Sequence, residues 1–271
     1  PAAPREIDLY AAAAAPVDPI GTTRAGELTT SDGEVRTYRV YEPGSLIPGE
    51  PVALLVALHG GTGWGAQYQA TSGFDAVAEA NRFVVVYPDG MGADLDPSRF
   101  RTWNGGDCCG PAARRQVDDV AFVDQLIDTV SSERAIDPDR VYAAGHSNGG
   151  IMAYRLACEL SERIVAVGVQ AGALGVEGCD PSRPVSLLHL HGGADTNVPF
   201  DGGVGSGIAG VAFRPTVDSV EAVAAADGCP TEPVAGIDPG NEDLAITSWE
   251  PCDADTSVRL VVVAGAGHAW M

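Results

Sequence analysis

One serine in this chain stands in a pattern that could do covalent chemistry. Gly145-His146-Ser147-Asn148-Gly149 has the G-x-S-x-G form, which is typical of a sharp strand-to-helix turn that presents a serine hydroxyl to a carbonyl carbon. A short apolar run precedes it at 141–144, and residues 151–160 follow with apolar side chains at spacings of three and four. We therefore predict that Ser147 is a nucleophile for acyl transfer. The alternative is a glycine-rich connection whose serine only caps the helix.

A serine nucleophile needs a base and an acid that orients the base. Asp195 comes just after a predicted strand at 185–190, and His268 comes just after the last predicted strand at 257–263. Active sites of parallel α/β sheets collect at the carboxyl ends of the strands, so both residues are placed for the task. The order Ser147, Asp195, His268 is nucleophile, acid, base. Asp201 is the rival for the acid.

The negative charge that develops on a tetrahedral intermediate needs two N–H donors. The amide of Asn148, directly after the nucleophile, is the first predicted donor. The second is expected in the glycine-rich loop His59–Gly63, with the amide of Gly61 preferred and that of Thr62 second. A glycine-rich turn can also hold phosphate, but no P-loop pattern or lysine supports that alternative.

Four aromatic residues are predicted to shape a substrate cleft. Trp64, Trp103 and Trp270 lie in loops rather than in buried runs, where aromatic side chains can form the walls of a binding site. His146, beside the nucleophile, is expected to shape the pocket rather than to act as the base. The alternative for each tryptophan is ordinary packing beneath a loop.

Two histidines raise the question of a metal. His189 and His191 share one face of a predicted strand and could bind an ion, but a hydrogen-bonded structural role is the preferred interpretation. No CxxC or paired Cys/His spacing indicates zinc. We predict neither a metal nor an organic cofactor.

Composition narrows the class of partner. The chain has 271 residues, 45% of them hydrophobic, and a net charge of −21 with arginine as its only strongly basic residue. Positive charge supplies most of the affinity for nucleic acid and anionic membranes, so neither is an expected partner. The longest early apolar run, Val52–Leu58, is too short to cross a bilayer. A neutral ester or polyester substrate fits better, and we expect the protein to be a monomer. Adaptation to salt and compositional drift both remain open as causes of the acidity.

Six cysteines, an even number, predict an exported protein with disulfides. The preferred local pairs are Cys158–Cys179 and Cys229–Cys252, which leave the adjacent Cys108 and Cys109 as either a vicinal disulfide or free thiols. The chain begins at Pro1 rather than at methionine, so we expect that it was either processed or trimmed and that any signal peptide is already absent.

The periodicity predicts one large α/β domain. Residues 1–24 are expected to form an N-terminal extension and residues 25–271 a single catalytic domain. A hairpin over 26–41 begins a doubly wound, mostly parallel sheet, so the sheet has an antiparallel start. The segment 201–210 is the best candidate for a mobile loop. The remaining predicted strands lie at 52–58, 83–87, 141–144, 164–169, 185–190, 245–249 and 257–263, and further helices at 66–80, 116–127 and 215–227.

The ordered set of motifs resembles a known group of enzymes. The motifs are Leu58-His59-Gly60-Gly61-Thr62-Gly63, Trp103-Asn104-Gly105-Gly106-Asp107-Cys108-Cys109-Gly110, Val117-Asp118-Asp119-Val120, the Ser147 turn, His191-Gly192-Gly193-Ala194-Asp195 and Gly267-His268-Ala269-Trp270. Together they resemble the poly(3-hydroxybutyrate) depolymerase and feruloyl esterase group of secreted α/β hydrolases.

The resemblance implies an α/β-hydrolase fold with Ser147, Asp195 and His268 as nucleophile, acid and base. It also implies that the Trp103 loop and Trp270 border the cleft, and that the protein is secreted. We expect a serine carboxylic-ester hydrolase that acts on polyester or 3-hydroxybutyrate oligomers, with feruloyl or acetyl-xylan esters as the alternative. A serine peptidase and a non-enzymatic binding module are less favoured, because the chain lacks the large extra domain of prolyl-type peptidases and keeps all three triad residues.

Overall fold

The computed structural model of the protein describes residues 17–93 and 100–270. In these ranges ten strands form one sheet and two short strands form a separate hairpin. The strands are β1 (Thr22–Thr29), β2 (Val35–Glu42), β3 (Val52–Leu58), β4 (Val84–Pro88), β5 (Ile136–His146), β6 (Ala166–Gln170), β7 (Ser186–Gly192), β8 (Gly203–Val204), β9 (Ala212–Phe213), β10 (Val234–Asp238), β11 (Asn241–Trp249) and β12 (Val258–Val263).

The large sheet has a parallel centre and antiparallel edges. Its strand order is β1-β2-β4-β3-β5-β6-β7-β12-β11-β10. The six strands from β4 to β12 in that order are parallel, whereas β1 and β2 at one edge and β10 and β11 at the other are antiparallel. The predicted fold class, with its antiparallel N-terminal hairpin, is therefore confirmed. β10 was not predicted; it lies at an edge of the sheet, and four of its five residues are exposed or half-buried.

The helices pack on the faces of the sheet. They are α1 (Gly65–Ser72), α2 (Phe74–Asn81), α3 (Gly110–Arg114), α4 (Asp119–Glu133), α5 (Asn148–Glu159) and α6 (Thr216–Ala226). The single helix predicted over 66–80 is two helices, because Gly73 adopts a left-handed φ of 77° that ends α1 and begins α2. The helix predicted over 116–127 begins and ends later, with the Asp118 carboxylate accepting from the Ala121 amide as its N-cap.

The core lies on both faces of the parallel centre. All five residues of β4 are buried, as a strand covered on both faces requires. The inward face of α5 adds Ile151, Met152, Tyr154 and Leu156, each at most 1% exposed. Burial of a large apolar side chain contributes about 1.5–3 kcal/mol, so α5 anchors the turn at its own N-terminus.

Three disulfides lie in the described part of the chain, and both predicted local pairs are confirmed: Cys158–Cys179 and Cys229–Cys252. Cys108 and Cys109 form a vicinal disulfide, which selects one of the two alternatives left open for them.

The start of the chain differs from the prediction in one respect. Residues 22–24 belong to β1 and pair with β2, so the predicted boundary of the extension at residue 24 is wrong. The first sixteen residues of that extension lie outside the described residues. The predicted loop at 201–210 contains β8, which pairs with β9. Over the described ranges, no helix has the length and apolar character needed to cross a membrane.

Candidate active site

Ser147 lies at the sharp turn between β5 and α5, as predicted. Its backbone adopts φ 55° and ψ −121°, a conformation that costs a non-glycine residue about 1–3 kcal/mol. Hydrogen bonds from the Ser147 amide to the Gln170 carbonyl (2.8 Å) and from the Ile151 amide to the Ser147 carbonyl (2.9 Å) hold it there. A Cβ on Gly145 would lie 2.2 Å from the Gly149 carbonyl oxygen. The two glycines of the motif are thus required by the close approach of strand and helix.

Asp195 and His268 meet Ser147 at the carboxyl edge of the sheet, because β7 and β12 are adjacent parallel strands. The His268 Nε2 atom is 2.8 Å from the Ser147 hydroxyl oxygen. The His268 Nδ1 atom is 2.7 Å from the Asp195 Oδ2 atom. A carboxylate can only accept, so Nδ1 carries a proton and Nε2 is free to accept one from Ser147. Asp201, the rival acid, is exposed and has no hydrogen bond to His268 in the described residues.

The Asp195 carboxylate is buried and oriented by its own loop. The amides of Asn197 (2.8 Å) and Val198 (3.0 Å) both donate to Asp195 Oδ1. Those bonds leave Oδ2 for His268. The carboxylate therefore has one oxygen fixed by backbone donors and the other directed at the imidazole.

Gln170, at the end of β6, connects the Ser147 turn to the loop of His268. Its carbonyl accepts from the Ser147 amide (2.8 Å), and its side-chain amide donates to the carbonyl of Ala269 (2.5 Å). The side chain is buried between the two elements. Sequence reasoning missed this residue, although its place at the end of a buried strand beside the Ser147 strand was a usable signal.

The amides of Asn148 and Gly61, the two predicted oxyanion donors, belong to neighbouring backbone segments. Asn148 is the first residue of α5, where an N–H has no partner within the helix. A Cβ on Gly61 would lie 3.6 Å from the Asn148 Cβ, so the two backbones are close neighbours. In the described part of the chain, neither amide has a hydrogen-bond acceptor. The alternative donor, Thr62, is a wrong prediction, because its amide already donates to the Arg101 carbonyl at 2.7 Å.

His59, which sequence reasoning did not assign a role, fixes the glycine-rich loop. Its Nδ1 atom is 2.8 Å from the Gly60 carbonyl oxygen, and the Gly90 amide donates to its Nε2 atom at 2.9 Å. Burial lowers the pKa of His59 to about 4, so the ring is neutral and donates through Nδ1. Its place directly after β3, before the glycines, was the available signal.

Trp103 is a structural residue, and its predicted place in a cleft wall is wrong. The side chain is 0% exposed, and its indole N–H donates to the His59 carbonyl at 2.9 Å. The Asn148 side chain forms two hydrogen bonds with the Trp103 backbone, at 2.7 and 2.9 Å. The Trp103 loop is nevertheless buried, because it lies beneath His59 and Asn148.

The same loop is fixed by a buried ion pair that sequence reasoning did not identify. Asp119 accepts from the Arg36 guanidinium and from the Asn104 amide, both at 2.8 Å. Arg36 also lies over the Phe122 ring, 4.0 Å from its centroid. Burial raises the pKa of Asp119 despite its arginine partner.

Trp64 and Trp270 also lie outside the described cleft lining. Trp64 is 46% exposed on the surface. The Trp270 indole donates to the Ser72 carbonyl at 3.0 Å and its ring packs edge-on against Tyr68. The structure thus gives neither tryptophan a place in that lining, and their substrate-wall role stays a prediction. Trp270 instead braces the His146 ring, at 6.1 Å between centroids.

His146 does line the cleft, next to His268. Its ring centroid is 5.0 Å from that of His268. Burial, followed by the neighbouring His268, lowers the pKa of His146 to about 4. The ring is therefore neutral near pH 7 and adds no positive charge beside His268.

The cleft beside Ser147 has a volume of about 680 Å³, within the range of small-molecule sites. No aspartate or glutamate is among its described lining residues, although the whole chain has a net charge of −21. Phe100 (56% exposed) and Ile208 (87% exposed) stand at its mouth. The apolar side chains of the lining are Ala93, Phe100, Pro111, Ile151, Val198, Ile208, Ala209 and Phe213.

Comparisons with known proteins agree with this geometry. Residues 29–227 match the model of the Esterase family, described as "Putative esterase", a range that includes Ser147 and Asp195 and ends before His268. "Feruloyl esterase B" of Piromyces equi is 30% identical over an alignment of 241 residues that covers 86% of this chain and 42% of that protein. "Putative esterase NocK" of Nocardia uniformis subsp. tsuyamanensis is 32% identical over an alignment of 275 residues, gaps included, that covers 92% of this chain and 74% of that protein.

Among solved structures, the acetyl xylan esterase from Aspergillus awamori superposes with a TM-score of 0.66 over 90% of this chain and 94% of its own. At 17% identity this likeness shows the shared fold. The chain spans less than half of the length of the Piromyces protein.

Proposed function

This chain belongs to the Esterase family, and from that premise we propose that it is a serine carboxylic-ester hydrolase. One observation carries the proposal: Ser147, His268 and Asp195 are joined by hydrogen bonds of 2.8 and 2.7 Å at the edge of a cleft. Each residue is within the reach that nucleophile, base and acid require.

The reaction begins with a proton transfer. The Ser147 hydroxyl gives its proton to His268 Nε2 while its oxygen attacks the ester carbonyl carbon, and the Asp195 carboxylate stabilises the imidazolium that forms. The amides of Asn148 and Gly61 hold the oxyanion. When the intermediate collapses, the bond to the alcohol oxygen breaks and His268 returns the proton to that oxygen. Water then repeats the cycle and releases the acid from Ser147.

The cleft favours an ester with an apolar acyl group. Its described lining offers aliphatic and aromatic side chains, no carboxylate and one arginine, Arg114, which is exposed to solvent, so a neutral, partly aromatic acyl group binds without burying an unpaired charge. We therefore propose a hydroxycinnamoyl ester of the feruloyl type as the substrate, which agrees with the name of the Piromyces relative. The exposed ring of Phe100 at the mouth is the side chain most able to stack on such a group.

The polyester or 3-hydroxybutyrate substrate stays a prediction that no comparison supports, and acetyl-xylan esters stay an alternative. Secretion is part of the proposal, and it is supported by the disulfides, which persist in oxidising compartments.

A substrate panel tests the proposal. The purified protein is assayed with methyl ferulate, acetylated xylan, 3-hydroxybutyrate oligomers and an aromatic polyester, with products identified by mass. We expect the highest kcat/KM with methyl ferulate. A higher value with hydroxybutyrate oligomers would reinstate the polyester prediction, and no hydrolysis of any ester would overturn the proposed function.

Two aromatic variants sharpen the panel. Phe100→Ala removes an exposed ring at the cleft mouth, whereas Trp64→Ala removes an exposed ring outside the lining. We expect Phe100→Ala to raise KM for methyl ferulate about tenfold, the worth of one stacked ring, and Trp64→Ala to leave KM unchanged. Equal effects of the two variants would contradict the assignment of the cleft.

A further inference from the structure

A row of buried polar groups leads from α5 through β7 to the loop of Asp195. The Tyr154 hydroxyl is 2.5 Å from His189 Nδ1, His189 Nε2 is 2.9 Å from His191 Nδ1, and His191 Nε2 is 2.9 Å from the Val198 carbonyl oxygen. All three side chains are 0% exposed. The predicted hydrogen-bonded arrangement of the two histidines is present, and it extends further than the sequence indicated.

The last acceptor sets the direction of every bond in the row. The Val198 carbonyl can only accept, so His191 carries its proton on Nε2 and accepts at Nδ1. His189 must then donate through Nε2 and accept at Nδ1, where the Tyr154 hydroxyl donates. Burial lowers the pKa of His189 and of His191, so both rings are neutral, as this arrangement requires.

The row ends at Val198, whose backbone also forms a hydrogen bond with Asp195. The Val198 carbonyl accepts from His191, while the Val198 amide donates to Asp195 Oδ1 at 3.0 Å. Both peptide groups that flank the Val198 Cα are thus fixed. His191 Nε2 is 3.7 Å from Asp195 Oδ2, too far for a direct hydrogen bond. The hydrogen-bonded link from His191 to the carboxylate therefore passes through the Val198 backbone, and the neutral ring also lies close enough to Oδ2 to act on its charge directly.

We propose that Tyr154, His189 and His191 form a positioning chain that fixes Asp195, and through it His268, in the orientation that activates Ser147. The inference rests on the proposed function. None of the three side chains touches the reacting atoms, so they act only through Asp195 and its loop. A buried row of this kind is not needed for stability alone, because apolar side chains of the same shape can replace paired polar groups with little cost.

Four variants separate positioning from packing. His191→Phe removes every hydrogen bond of the ring at similar volume, including a longer one from the Thr216 hydroxyl to Nδ1 (3.4 Å), and His191→Gln keeps a donor that can reach the Val198 carbonyl. Tyr154→Phe removes the hydroxyl at the far end of the row. Tyr68→Phe is the matched control, because the Tyr68 hydroxyl is also buried but has no partner in the described residues.

The positioning chain predicts a loss in kcat with little change in KM. We expect about a 100-fold lower kcat for His191→Phe, the cost of a displacement near 1 Å in an active site, with KM within twofold. His191→Gln should recover most of that loss, Tyr154→Phe should lose severalfold, and Tyr68→Phe should match the parent. Each melting temperature is measured to establish that the variant is folded. A folded His191→Phe or Tyr154→Phe with the parent kcat would overturn the proposal.

A spectroscopic test does not depend on hydrolysis. Long-range ¹H–¹⁵N spectra of the parent should show His189 and His191 both as neutral Nε2–H tautomers near pH 7. An Nδ1–H tautomer or a charged ring at either position would overturn the inference, even if His191→Phe does not fold. If Ser147→Ala keeps the parent activity, the proposed function fails whatever the tautomers are. If Ser147→Ala is inactive while the chain variants are fully active, only the positioning role fails.

Discussion

Asp195→Asn is the substitution whose effect the hydrogen bonds define most closely. Asp195 Oδ1 accepts from two backbone amides, so the asparagine oxygen must occupy that place. The NH₂ group then replaces Oδ2 and faces His268 Nδ1. Because NH₂ donates, it stabilises the His268 tautomer that has its proton on Nε2. That tautomer presents a donor to Ser147 and cannot take its proton.

The expected magnitude follows from that wrong tautomer. We expect kcat to fall about 10⁴-fold, which corresponds to roughly 5.5 kcal/mol of lost transition-state stabilisation. KM should change little, because Asp195 is buried behind His268 and does not line the cleft. The melting temperature should stay near that of the parent, since both backbone bonds to the side-chain oxygen are retained.

The assay is steady-state hydrolysis of p-nitrophenyl butyrate by the folded variant. Asp201→Asn is the matched control, because Asp201 is the rival acid, carries the same charge and is exposed. We expect the control to keep the parent kcat. A loss below tenfold for Asp195→Asn, or an equal loss for Asp201→Asn, would refute the assignment of the acid.

Three further outcomes are expected. Gln170→Met removes the hydrogen bond to the Ala269 carbonyl. We expect kcat to fall about tenfold, which corresponds to one buried hydrogen bond, while KM stays unchanged. An unchanged kcat would contradict this role of Gln170. The pKa of His59 is about 4 in the folded protein and 6.5 in the unfolded chain, so the unfolded chain takes up this proton first as the pH falls. Between pH 7 and pH 5 this difference lowers the free energy of unfolding by about 2 kcal/mol. Urea titrations of His59→Gln should therefore show a free energy of unfolding that depends less on pH than that of the parent. Gly149→Ala places a Cβ 2.1 Å from a carbonyl oxygen at the end of β3 and should lower soluble yield and melting temperature sharply, whereas Gly178→Ala, with open space around it, should not.

The sequence predicted the residues whose position follows from strand order. Ser147, Asp195 and His268 each come after a buried strand, and parallel strands end at one edge, so their meeting could be expected. The same argument predicted that the backbones of Gly61 and Asn148 lie close to Ser147.

What could not be predicted depends on contacts between distant segments. Trp103 looked exposed because it lies in a loop, but that loop packs under Asn148 and His59. The Thr62 amide donates to the Arg101 carbonyl, and no local sequence pattern indicates this hydrogen bond. Gln170 likewise acts through an amide contact to residue 269, and a single sequence does not reveal such partners.

Covalent labelling of Ser147 tests the central claim most directly. The protein is incubated with a fluorophosphonate, its intact mass is measured, and the labelled peptide is sequenced, with Ser147→Ala treated in parallel. We predict a single adduct on Ser147, loss of p-nitrophenyl butyrate hydrolysis in proportion to labelling, and neither label nor hydrolysis in Ser147→Ala. An adduct at another residue, or hydrolysis by Ser147→Ala at the parent rate, would contradict the account.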